Sequence, residues 1–127
     1  MSTLKLDTLS NKAGTASVPS DTIVSGTAKA WVNFNGTGTV AIRRSFNVSS
    51  ITDNAAGDYT VNFTSAMSDA NYSAVATVSF ASGDGSYGVV QMPWTTVPTT
   101  SAIRMGCPNY NSGTAYDHNY VSVAIFS

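Results

Sequence analysis

Glutamate is missing from this chain: all seven acidic residues are aspartate. Charged residues make up only 10% of the 127, and the formal net charge is −1. That balance excludes both the basic stripe of a nucleic-acid binder and an acidic tail. Cys107 is the sole cysteine, so no intrachain disulfide can form. With His118 the sole histidine, a zinc site lacks ligands, and Cys107 reads as a small buried hydrophobe. No apolar run is long enough for a leader or a membrane span; the opening MSTLKLDTLSNKAG is mostly polar. Synthesis in the cytoplasm without membrane insertion is therefore expected. Acid–base machinery is equally thin. Asp117 adjoins His118, and neighbours on a strand point apart, which argues against a Ser–His–Asp triad. Most other aspartates sit at turn signals, where Asp bonds the local backbone. Asp84 between two glycines falls short of a calcium ligand set, and no glycine-rich phosphate loop is present. The expectation is a protein with no catalytic residue, metal or cofactor.

What remains is Ser, Thr, Asn and Gly, a composition that avoids helix formers and favours strands and turns. From Ala28 to Met67 apolar and polar residues alternate. Ala28, Ala30, Val32 and Phe34 face one way, and Lys29, Trp31 and Asn33 the other. Asn35-Gly36 follows as a hairpin signal. Val40 and Ile42, then Phe46 and Val48, precede a turn at residues 54–58, after which Tyr59, Val61 and Phe63 alternate with Thr60, Asn62 and Thr64. A second alternating run covers Tyr72, Ala74, Ala76, Val78 and Phe80, followed by a turn at residues 82–85 and then Tyr87, Val89 and Gln91. Pro93 and Pro98 bracket a loop containing Trp94. Residues 102–107 and 120–126 close the series. With no helix-period segment, the fold class is all-β: an antiparallel β-sandwich of about eight strands. Residues 1–27 differ. Leu4, Leu6 and Leu9 alternate weakly before Gly14, Pro19 and Gly26 interrupt. This stretch reads as an extended N-terminal arm with too little apolar surface for a core of its own. A neighbouring subunit or assembly partner is expected to clamp it, through Leu4, Leu6 and Leu9. Residues 28–127 form the β-sandwich domain.

Two further features carry candidate function. Trp31 lies on the polar face of its strand beside Lys29 and Asn33, which suggests a subunit interface, where Trp is enriched. The loop GCPNYNSGTAYDHN, residues 106–119, sets Tyr110, Tyr116 and His118 among Asn111 and Asp117. Aromatic faces stack on sugar rings and Asn or Asp bonds hydroxyls, so a receptor-binding loop is one reading. A flexible, soluble loop is the other.

The wording of the segment AKAWVNFNGTGTVAIRRSFNVSSITDNAAGDYTVNFTSAMSDANYS, with the ending YDHNYVSVAIFS and the arm STLKLDTLSNKAGTASVPS, resembles short tail-fibre-like proteins of phages that infect marine and freshwater bacteria, cyanophages included. The likeness is weakest between Ser82 and Asn119, and Arg43-Arg44 departs from it. The resemblance implies a virion location, a homotrimer, attachment to other virion proteins of the tail or capsid through the N-terminal arm, and recognition of a host-surface glycan or protein by the distal domain. It brings no catalytic motif. Multivalent display of weak sites would be the mechanism. A head decoration or cement protein, its arm pairing with a capsid subunit, is the alternative within the particle. A carbohydrate-active enzyme is the alternative from another class.

Overall fold

The computed structural model describes residues 2–79, 89–93, 95–110 and 112–127. The expectations placed on Phe80, the turn at 82–85, Tyr87, Trp94 and Asn111 lie outside the described residues. In chain order the elements are β1 (Thr8–Ser10), β2 (Ser17–Pro19), α1 (Ser20–Gly26), β3 (Ala30–Asn35), β4 (Ala41–Phe46), β5 (Val48–Ala55), β6 (Asp58–Phe63), β7 (Ser73–Val78), β8 (Ala102–Gly106) and β9 (Val121–Phe126). β3 to β9 form the sandwich: a four-stranded sheet ordered β4-β3-β9-β7 and a three-stranded sheet ordered β5-β6-β8, antiparallel throughout. The all-β sandwich expected from alternation is what forms, with seven strands among the described residues in its two sheets.

Alternation explains the core directly, because side chains at every second position share a face. Ala30, Val32 and Phe34 of β3 and Val121, Val123 and Ile125 of β9 are buried from the four-stranded side. Tyr59, Val61 and Phe63 of β6 with Ile103 and Met105 of β8 meet them from the other. Two edge-to-face ring pairs bridge the interior, Phe34 on Tyr59 at 5.2 Å and Phe63 on Tyr72 at 5.8 Å. The outer face of the three-stranded sheet is polar and self-satisfied. Asn62 donates to Ser50 and Thr52, Asn54 donates to Thr60, and Arg104 grips Asp58 with two bonds of 2.8 and 2.5 Å. That arginine holds the Asp58 carboxyl below the usual carboxylate range, against an opposing push from partial burial.

The chain passes from one sheet to the other at Asn47, which takes a left-handed φ of 53°. Its side chain sews the corner: Nδ2 donates to the Lys29 and Ser65 carbonyls, and Oδ1 accepts from the Ser65 N–H at 2.8 Å. Plain alternation sets Phe46 and Val48 on one face. The corner separates them, so Phe46 points outward from the four-stranded sheet while Val48 enters the core.

Two further expectations are corrected. The hairpin signalled by Asn35-Gly36 forms, with β3 antiparallel to β4, but its connection runs over residues 36–40, and Gly38, not Gly36, has positive φ. Gly36 is required because it passes close to its neighbours: a Cβ there would lie 2.4 Å from the Tyr59 hydroxyl and 2.9 Å from the His118 carbonyl. The arm is not wholly extended either. β1 and β2 pair as a hairpin, and α1 follows Pro19 with Asp21 in its first turn, where the acidic side chain suits the helix dipole. At seven residues α1 is too short to show a helical period in the sequence.

Candidate functional site

The segment after β8 folds back as a small hairpin. Pro108 bridges Ala115, the Asn109 N–H donates to the Thr114 carbonyl at 2.7 Å, and Gly113 adopts φ 69° at the turn. Tyr110 stands at its tip and is 77% exposed. The two strands of this hairpin do not present the other aromatic side chains alongside it. Tyr116 is half-buried, its backbone pressed against Gly57, where a Cβ would come within 2.6 Å of the Tyr116 N and O. Asp117 turns inward: Oδ1 accepts from the Tyr59 hydroxyl and from the Gly57 N–H, each at 2.7 Å. His118 is 1% exposed. Its Nδ1 lies 2.7 Å from the Ser79 carbonyl, which can only accept, so Nδ1 carries the proton. Nε2 has no partner among the described residues.

The expected receptor loop is thus divided. Tyr110 faces solvent, Tyr116 and Asp117 are half-buried, and His118 belongs to the sandwich interior. The physical reason is that the loop is clamped by the β5–β6 turn. The Cys107 N–H donates to the Gly57 carbonyl, and Asp117 returns a bond to the Gly57 N–H. Burial, reinforced by the neighbouring Asp117, pushes the Tyr59 phenol well above its ordinary pKa. Burial likewise pushes the Cys107 thiol up to about 12, with Asp117 and Asp58 adding to it. Both groups therefore stay neutral, and Cys107 is inert as a nucleophile. Among the described residues no cluster of three or more His, Cys, Asp or Glu is placed to hold a metal.

The outer face of the four-stranded sheet is a different kind of surface. Strand register places Phe46, Trp31, Ala124 and Val75 in one row across all four strands. Phe46 is 55% and Val75 57% exposed. The small side chains of Ser122 and Ala124 floor a shallow trough walled by Trp31 and Val75. A parallel row of Arg44, Asn33, Ser122 and Thr77 is polar, and Asn33 donates to Ser122 at 2.7 Å. Of the three residues expected at an interface, Trp31 and Asn33 lie on this face, whereas the Lys29 ammonium is turned to the Val24 carbonyl of α1. Phe46 and Val75 were missed. Val75 had a signal in the sequence, an apolar residue between Ser73 and Thr77 on an otherwise polar strand face, as Trp31 is between Lys29 and Asn33; Phe46 had none, because alternation sets it on the core face with Val48.

The third surface is the arm. Leu4, Leu6, Leu9, Ile23 and Val24 are all exposed, and no residue of β1, β2 or α1 is buried. The hairpin packs against itself and α1, with no comparable contact to the sandwich. Just before the start of β9, Arg43 stacks 4.0 Å from the Tyr120 ring centre and donates to the Asn119 carbonyl and side chain.

Comparison with protein-family models, with curated proteins and with solved structures finds no match to this chain.

Proposed function

We propose that this chain is a bacteriophage virion protein, a tail fibre or its receptor-binding domain, which joins the particle by its arm and meets the host through its distal loops. The observation that carries this reading is the uncovered arm. Five apolar side chains stand on a unit in which no described residue is buried. A lone two-stranded hairpin and a seven-residue helix are marginal in water. A segment of this kind gains its stability by being covered, and another virion subunit is the cover that fits. The sandwich supplies the rigid frame, as loops on a packed scaffold commonly do for binding surfaces. Recognition falls to the exposed Tyr110 tip, since Asp117 and His118 are engaged inside.

The test is a truncated chain, residues 28–127, expressed alongside the particle. It should keep its β-sheet circular dichroism and fail to enter virions. Incorporation at the normal level would refute the arm's role. Immunogold labelling of the full-length protein on the particle separates a fibre, labelled at the tail, from a decoration protein, labelled on the head.

A further inference from the structure

Sheet edges are open rows of backbone donors and acceptors, and proteins guard them. Three of the four edges of this sandwich are guarded. β4 carries Arg43 and Arg44 and a register shift against β3. β5 carries Asp53 and two register shifts against β6. β8 is bridged at Gly106 by Gln91, with bonds of 2.8 and 3.0 Å. β7 has none of these devices. Ser73–Val78 reads SAVATV, without charge, proline or bulge, in unbroken register with β9, and it has no second neighbour among the described residues.

We propose that β7 pairs with β7 of a second copy, antiparallel across a two-fold axis at Val75, joining two four-stranded sheets into one. The pattern of the strand singles out this occupant. Ser73-Ala74-Val75-Ala76-Thr77 is nearly the same in side-chain class read from either end, which an isologous contact requires. With Val75 opposite its own copy, Ser73 faces Thr77, hydroxyl to hydroxyl, and Ala74 faces Ala76, small to small. The backbone agrees. The Ser79 N–H donates to the Tyr120 carbonyl; by alternation Thr77, Val75 and Ser73 also turn their backbone groups to β9, and Ala74 and Ala76 turn theirs to the open edge. In the proposed register those two residues are partners and exchange about four backbone hydrogen bonds across the axis. Neither edge brings a charge, so identical copies meet without repulsion. The apolar row Phe46–Trp31–Ala124–Val75 then continues into the second copy and its trough is enclosed at the Val75 end.

This goes beyond the proposed virion role, and its outcome is independent of the arm. A fibre implies three-fold symmetry; the two-fold pairing combines with it as two trimers back to back. Light scattering on the full chain at high micromolar concentration should give a dimer or a hexamer. Val75→Lys, which sets two ammonium groups against each other on an exposed position, should halve that mass and leave the circular dichroism unchanged. Val75→Cys should form a disulfide-linked dimer on mild oxidation, because Cys107 is buried and inert, whereas Thr52→Cys on the outer face of the other sheet should not. A wild-type monomer or trimer would overturn the pairing. So would a mass that Val75→Lys leaves unchanged, or equal cross-linking of the two cysteine variants.

Discussion

Replacing Tyr59 by Phe removes one oxygen from the interior and tests the clamp that shapes the 106–119 loop. The hydroxyl lies 2.7 Å from Asp117 Oδ1 and 3.0 Å from the Gly36 carbonyl. It has one proton, and the carboxylate is the stronger acceptor. A hydrogen bond to a charged group contributes about 1.5–3 kcal/mol net. Asp117 keeps the Gly57 N–H at 2.7 Å, so the carboxylate is not orphaned, and the expected loss is about 1.5–2 kcal/mol. For a domain of this size that lowers Tm by roughly 6–10 °C. Asp117→Ala should cost more, about 3 kcal/mol, because it strips both the Tyr59 hydroxyl and the buried Gly57 N–H of their acceptor. The two changes share one bond, so the double variant should fall short of the sum by about 1–2 kcal/mol. Thermal melts and urea unfolding at pH 7 of the four proteins give the cycle. A Tyr59→Phe shift below about 2 °C, or strict additivity, would show that this bond does not hold the loop.

The remaining predictions concern titration and recognition. Cys107, with its thiol pushed up to about 12 by burial, should resist a thiol reagent at pH 8 in the native protein and react after unfolding in urea. Its raised pKa makes the native state hold the proton more tightly than the unfolded chain. Its share of stability is therefore full below the thiol's ordinary value of about 8.5 and lost as pH rises toward 12. A pH series of urea midpoints on the wild type and Cys107→Ala checks this; the wild type alone should show the decline from the thiol. Tyr110→Ala should leave Tm within about 2 °C, as exposed positions do, and should reduce adsorption of virions to host cells severalfold. Unchanged adsorption by a folded variant would remove the loop tip from the recognition surface.

Strand faces were legible in the sequence because alternation is a local property. Val32, Phe34, Val61, Phe63, Val121, Val123 and Ile125 could be assigned to the core without knowing any strand's partner, and all are buried. That β1, β2 and α1 bury no residue follows from composition as well, which limits how much core a segment can build. Features that depend on pairing between distant strands were not. Phe46 and Val48 part company only because Asn47 carries the chain from one sheet to the other, and its anchors are Lys29 and Ser65, each eighteen residues away. Asp117 and His118 look like a polar loop tip until Gly57, Tyr59 and Ser79 are brought beside them. Gly36 looks like a turn glycine until the Tyr59 ring occupies the space a side chain would need. β7 becomes an edge only when β9 has taken its other side. Burial and edge position are decided by what the rest of the chain places opposite a residue, and that is fixed by long-range hydrogen bonding and packing rather than by the residue's own neighbours in sequence.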